Sequence, residues 1–320
     1  MSILKVSHLK KYFPVTSGVF MRRTGWIHAV DDVSLAVEEG ETLGIVGESG
    51  CGKTTLGRCI MGLYAPTHGR VEIQGSSIAR LNSAARRELA RTIQMIFQDP
   101  FESLNPRQTV RQVLEEKYHI QGRKDLDMEA EIRGLMEQVG LPVDALSKFP
   151  HEFSGGQRQR IGIARAVSLA PKIIICDEPV SALDVSVQSK ILNLLLELQK
   201  NMGLTYVFIS HDLSVVRHIS DRIAVMYLGK IMEVASTEAI YEQTRHPYTR
   251  ALLSAIPEPD PTVPPTPLLL TGEVPSVENP PRGCRFHTRC PHVQDICRSQ
   301  EPELAAKPDA LDHFSACHFF

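Results

Sequence analysis

The residues Gly47-Glu48-Ser49-Gly50-Cys51-Gly52-Lys53-Thr54 fit the spacing G-x-x-x-x-G-K-Ser/Thr. The apolar run Thr42 to Val46 precedes them and the helix-like TLGRCIMGL follows. Glycines at such spacing let backbone N–H groups curl round phosphates, and the helix N-terminus adds a partial positive charge. Lys53 is placed to reach β- and γ-phosphates, and the Thr54 hydroxyl to bind Mg²⁺. Gly47, Ser49, Gly50, Cys51, Gly52 and Thr55 complete the expected cradle. A second stretch, Ile173-Ile174-Ile175-Cys176-Asp177-Glu178, is an apolar strand ending in two carboxylates. Asp177 can hold the shell of a magnesium ion, and Glu178 can polarise an attacking water. On its own such a strand is also simply one that reaches solvent; the upstream loop gives it chemical meaning.

Elements must hold these groups. Short strands are expected at residues 3–13, 29–37, 71–74, 92–97, 173–176, 206–210 and 223–227, with helices between the later ones. From Asp99 to about Leu169 the chain turns helical, with Ile132, Leu135, Met136 and Val139 at helical spacing and Gly140-Leu141-Pro142 as a stop. Strand and helix alternation of this kind predicts a mostly parallel sheet covered on both faces. Prolines then crowd residues 257–281, which excludes a continuous helix there and predicts an extended linker or wrapping segment. Cys284, Cys290, Cys297 and Cys317 follow in the last 37 of 320 residues.

Bulk composition narrows the function. Hydrophobic content of 42% and charged content of 22% are ordinary for a globular protein. A net charge of −2 provides no basic field for nucleic acid. The N-terminus lacks an apolar h-region, and no run approaches the roughly 18 apolar residues that span a bilayer. The expected location is cytoplasmic, with any membrane spans supplied by other chains.

Further motifs carry a family resemblance. Phe153-Ser154-Gly155-Gly156-Gln157, followed by RQRIGIARA, resembles the signature sequence and signature helix of ABC ATPases, with Phe153 in place of the usual leucine. Gln98 falls at the position of the family's Q-loop glutamine, Ser181-Ala182-Leu183-Asp184 at its D-loop, His211 at its switch histidine, and Tyr12 at its adenine-stacking aromatic. All occur in family order over residues 1 to about 235. The resemblance implies an α/β fold: a P-loop NTPase nucleotide-binding domain of ABC type over 1–235, with an inserted helical subdomain at about 99–169. A Pro-rich segment at 236–281 and a small Cys-rich C-terminal extension at 282–320 complete the expected organisation. The resemblance also implies Mg²⁺ ligation by Thr54, Gln98 and Asp177, and catalysis by Glu178, His211, Lys53 and Gln98. Ser154, Gly155, Gly156 and Gln157 would cover the γ-phosphate in a partner's site, and the Asp184 loop would couple the two sites.

The segment PVTSGVFMRRTGWIHA, the run RHPYTRAL at 245–252 and the tail GEVPSVENPPRGCRFHTRCPHVQDIC are similar to ATP-binding subunits of bacterial dipeptide and oligopeptide importers. Nickel and glutathione importers share much of this pattern. The implied partners are two transmembrane permease subunits, a second homologous ATPase subunit and an extracytoplasmic peptide-binding protein, on the cytoplasmic face of the membrane. Substrate choice rests with those other chains. The cysteine spacing itself admits an iron–sulfur cluster, a zinc site with the neighbouring histidines, or four free thiols. Peptide-importer subunits with a similar tetrad carry a 4Fe–4S cluster, which makes that the expected cofactor beside ATP and Mg²⁺. Two other classes compete: a soluble ABC ATPase of DNA repair or translation, and an adaptor with a dead site. The single ATPase domain and the acidic balance argue against the first. The presence of Lys53, Asp177, Glu178 and His211 argues against the second.

Overall fold

A computed structural model describes residues 2–18, 22–99, 103–123, 127–256, 270, 272–307 and 310–319. The chain divides into two compact units, one of Met1–Val37, Thr42–Ala79 and Ile209–Phe320, the other of Glu38–Glu41 and Arg80–Phe208.

The first unit holds two sheets. One is four-stranded and carries, in spatial order, Arg22–Glu38, Ser2–Ser17, His68–Ile73 and Ser76–Ser77. Ser2–Ser17 and His68–Ile73 run antiparallel, Leu4 opposite Ile73, with a bulge between Ser7 and Lys10. In the other sheet Thr42–Val46 lies parallel to Arg222–Tyr227, Leu43 opposite Arg222. Every residue of Thr42–Val46 is buried, as a central parallel strand requires.

The expectation of a mostly parallel sheet holds only in part. Arg222–Tyr227 turns through Leu228 and Gly229, with φ of 43° and 81°, into the antiparallel strand Lys230–Ser236. Two positive φ values in a two-residue loop match the right-handed twist of a hairpin. Ala310–Ser315 then pairs antiparallel with Lys230–Ser236, Phe314 opposite Val234, and Ala305–Lys307 pairs with Ala310–Ser315. The Cys-rich tail thus extends this unit's sheet.

The stretch read as a Pro-rich linker opens instead with two helices, Thr237–Glu242 and Pro247–Ser254. Proline at the first turn of the second is favourable, because its missing N–H would have no helical partner there. The dense prolines from Pro257 to Pro267 lie outside the described residues. Fully buried Glu233 fixes this region: it accepts from Thr244 Oγ1, the backbone N–H groups of Arg245 and His246, and pairs with His313 Nε2 at 2.6 Å. Burial raises its carboxyl pKa, but the His313 bond and its other donors more than reverse this and hold it below the usual range.

In the second unit, Thr205–Ser210, Ile173–Asp177 and Ile93–Ile96 are neighbouring strands, the last two parallel with Ile93 opposite Ile173. Helices Val110–Ile120, Met128–Gln138 and Gly155–Val167 pack on one another. The first begins with a capping box from Thr109 and Gln112, and Asp127 caps the second through the Ala130 N–H. The apolar stripe read from sequence is the buried face: Ile132, Leu135, Met136 and Val139 are all within the core. No described helix is long and apolar enough to cross a membrane.

Candidate functional site

The phosphate-type loop stands between the buried strand Thr42–Val46 and the helix Lys53–Ile60. Gly47 and Gly52 adopt φ of 155° and 109°. A Cβ at either would meet backbone, Met226 O at 2.1 Å for Gly47 and Ala29 O at 2.0 Å for Gly52. Glycine is therefore required on steric grounds as well as for its conformation. Lys53 is 4% exposed and its ammonium donates to Gly47 O at 2.7 Å and Glu48 O at 3.1 Å. The first turn of the helix carries no acid to offset the partial positive charge at its N-terminus, which favours an anion there. Thr54 and Thr55 sit half-buried in that turn, and Ser49 and Gly50 are exposed on the loop. Cys51 is buried, which pushes its thiol pKa up although Lys53 acts the other way.

In the same unit Tyr12 is half-buried, its ring 4.3 Å from that of His28. Its hydroxyl donates to Asp31 Oδ1 at 2.5 Å. Asp31 is also paired with Arg285, Lys230 and Lys10. Burial alone would raise the Asp31 pKa; the Tyr12 bond and the three cations hold it down instead. His211, exposed, directly follows the strand Thr205–Ser210.

In the second unit Asp177, 2% exposed, ends the buried strand Ile173–Asp177. Glu178 follows with φ of 47°, a conformation that costs a non-glycine residue about 1 kcal/mol or more. Its Oε2 accepts from Gln98 Nε2 at 3.1 Å, so the glutamine and the second carboxylate read from sequence meet. Ser154 caps Gly155–Val167: Gln157 N–H donates to its hydroxyl at 3.4 Å, and Ser154 N–H donates to Gln157 Oε1 at 3.0 Å. A Cβ on Gly156 would lie 2.5 Å from Val187 Cγ1, on the helix Val185–Met202 that Asp184 begins. The Asp184 side chain does not cap that helix.

The four tail cysteines line one small cavity, with His246, His287, His292 and His318 also on its wall. Cys284 N–H donates to Cys297 O at 2.8 Å, closing the tail on itself. Burial pushes the Cys284 thiol up to about 11, and the neighbouring cysteines act in the same direction against a backbone bond at Phe286. All four are free of disulfides. Among the described residues no group of three or more His, Cys, Asp or Glu is arranged to hold a metal ion, and nothing in the likenesses below supports an iron–sulfur cluster.

A family profile described as "ABC transporter" matches residues 30–181, and one described as "Oligopeptide/dipeptide transporter, C-terminal region" matches 232–297. The chain is 51% identical over 323 residues to the oligopeptide transport ATP-binding protein AppF of Bacillus subtilis (strain 168), covering 100% of this chain and 98% of that protein. The chain belongs to the ABC transporter family, among its oligopeptide transport ATP-binding proteins. A putative oligopeptide transport ATP-binding protein of the same organism, YkfD, is 50% identical over 322 residues, covering 99% and 95% of the two chains. Among solved structures, the ATP-binding cassette MJ0796, in a dimeric post-hydrolysis state bound to ADP and Pi, is similar with a TM-score of 0.65 and 28% identity over 73% of this chain and 98% of that one. The cbiO1 protein from Clostridium perfringens, part of the ABC transporter complex cbiONQ, gives 0.63 and 26%, over 76% and 91%. As a family member the chain has the ABC-type P-loop fold and is an ATPase.

Sequence reading did not single out Asp31, Tyr248, Arg285 or Arg289, nor the contact that Arg289 makes with Glu48. Residues 282–294 contain Arg282, Arg285 and Arg289 and no acid, and two of these arginines pair with carboxylates distant in sequence, Arg285 with Asp31 and Arg289 with Glu48.

Proposed function

We propose that this chain hydrolyses ATP to energise import of dipeptides or oligopeptides as the ATPase subunit of a membrane transporter. The observation that carries this reading is 51% identity to an oligopeptide transport ATP-binding protein along the whole chain, the tail included. The tail matters because a nucleotide-binding core alone does not distinguish cargo, whereas the match at 232–297 is to a region described for oligopeptide and dipeptide transport.

In the proposed division of labour, Lys53 and the loop N–H groups bind the β- and γ-phosphates, and Tyr12 stacks on adenine. Thr54, Gln98 and Asp177 hold Mg²⁺, which neutralises charge on the phosphates. Hydroxyl, amide and carboxylate oxygens are the hard donors that such an ion takes. Glu178, oriented by the Gln98 amide, accepts hydrogen bonding from the attacking water, and His211 contacts the γ-phosphate. Ser154 to Gln157 and the Asp184 loop serve the site of a second ATPase subunit. The helices between about 99 and 169 form an inserted subdomain. Two permeases, the second ATPase subunit and an external binding protein make up the transporter, on the cytoplasmic face of the membrane.

We assign the tail at 282–320 a structural or assembly role. Its four thiols around one cavity supply the donor set of a 4Fe–4S cluster, which takes one thiolate per corner and does not require the tight convergence of a single zinc ion. Anaerobic purification with visible absorption and iron analysis tests this cofactor, and colourless, iron-free protein excludes it. For the function itself, the test is affinity purification from solubilised membranes. Two permease chains and a second ATPase subunit are expected to accompany this chain, and peptide delivered by the binding protein should stimulate ATP hydrolysis. Recovery of the chain alone, with hydrolysis indifferent to peptide, would overturn the reading.

A further inference from the structure

Glu48 is the sole acid in the phosphate loop Gly47 to Thr54, a position where a bare carboxylate would repel a polyphosphate. Two residues from beyond the conventional motifs hold it. Arg289 Nη1 donates to both carboxylate oxygens, at 3.1 and 2.8 Å. The Arg289 side chain is 9% exposed and that of Glu48 25%, so the pair is largely screened from water. Tyr248 acts on the same residue through the backbone: its hydroxyl accepts from Glu48 N–H at 2.9 Å. That donor is thus engaged from behind the loop.

Both holders are themselves locked. Tyr248 is fully buried, its ring 4.7 Å from Tyr227 and 5.3 Å from Phe286, and Phe286 stands edge-on to Tyr227 at 5.4 Å. Arg289 lies over the Tyr227 ring at 5.9 Å, and Tyr227 ends the strand beside Thr42–Val46. Burial works against the Arg289 charge, but Glu48 and Tyr227 more than reverse this and raise its pKa. A buried aromatic cluster therefore carries one cation and one acceptor to a fixed point on the loop.

We propose that Arg289 and Tyr248 are positioning residues for the phosphate loop, acting through Glu48, so that the cysteine-bearing tail is a working part of the nucleotide site. Arg289 neutralises and aims the Glu48 carboxylate away from incoming phosphate, and Tyr248 fixes the peptide from which the cradle begins. The proposal rests on the nucleotide reading above.

The test is calorimetric binding of a Mg²⁺-bound, non-hydrolysable ATP analogue to the full-length chain. Arg289→Ala is expected to weaken affinity about tenfold, the scale of losing one charge-assisted bond and leaving its partner charge bare. Adding Glu48→Gln to that variant should restore most of the loss, and Arg289→Lys should lose less than Arg289→Ala. In the assembled transporter KM for ATP should rise by the same factor with kcat held within about twofold, since the effect is on ground-state binding. A general packing defect would not be rescued by Glu48→Gln. Unchanged affinity in Arg289→Ala, or no recovery in the double variant, would overturn the proposal. Should Arg289→Ala fail to fold, Tyr248→Phe carries the test: it keeps the ring and is expected to weaken binding about fivefold through the lost acceptor, and wild-type affinity would refute the role. A wild-type chain that does not bind the analogue would overturn the nucleotide reading, and the proposal with it.

Discussion

The chain has two glycine-rich stretches at helix N-termini, and they are built in opposite ways. In Gly47 to Thr54 the glycines adopt positive φ, Gly47 and Gly52 leave no room for a Cβ against backbone carbonyls, the lysine is buried in the loop, and Arg289 of the tail braces it from outside. In Ser154 to Gln157 the backbone is helical from Gly155 onward, the cap is satisfied by its own Ser154–Gln157 box, and Ser154 and Gln157 are exposed. There the glycine contacts are with side chains, Leu183 and Val187, not with backbone. The first stretch is completed by its own unit. The second presents a hydroxyl and a helix terminus outward, as a surface meant for a partner would.

The difference can be broken most severely at Gly52. Gly52→Ala sets a Cβ 2.0 Å from the Ala29 carbonyl in a conformation with φ of 109°. Nucleotide affinity should fall about a hundredfold or more, because the backbone has to move. An alanine variant that binds normally would show that the loop is not sterically locked.

Ser154→Arg acts on the other stretch and should act across subunits. In a complex with one altered and one normal ATPase chain, nucleotide closure should fail at the phosphate loop of the partner and persist at Lys53 of the altered chain. Site-resolved nucleotide crosslinking reads this. Loss confined to the altered chain's own loop would contradict an outward-facing role.

The smallest effects separate the two signature glycines. Gly156→Ala meets Val187 Cγ1 at 2.5 Å and should destabilise by about 1–3 kcal/mol. Gly155→Ala reaches Leu183 Cδ2 at 3.4 Å, ordinary contact, and should change stability by less than about 1 kcal/mol, given alanine's better helix propensity. Denaturant midpoints measure both, and equal effects would mean the helix Val185–Met202 does not set the constraint.

What could be read from sequence follows the same division. The helix that opens at Lys53, the buried strand that ends at Asp177 and the helix capped by Ser154 stand where their motifs put them, because each is set by residue types within a few positions. The strand Thr42–Val46 was legible too, since its full burial admits no charged side chain and leaves Thr42 as its one polar residue. The tail was not. Its strand Ala310–Ser315 pairs with Lys230–Ser236, and the pair carries Glu233 and His313 at buried positions, where an apolar pattern is the usual signal. The helix Pro247–Ser254 offered its proline and the His246 cap, but these sat beside a run of prolines that pointed to a linker. Arg289 and Glu48 stand 241 residues apart, and no local spacing announces such a pair.

Glu178 is proposed to drive the hydrolysis that powers import. The direct measurement is ATP hydrolysis and peptide uptake by the whole transporter in sealed vesicles, wild type against Glu178→Gln, with bound nucleotide assayed alongside. Hydrolysis should fall about a thousandfold, uptake should fall with it, and nucleotide should stay bound because Lys53 and the loop are untouched. Hydrolysis or uptake persisting at the wild-type rate would remove Glu178 from the mechanism and contradict the account.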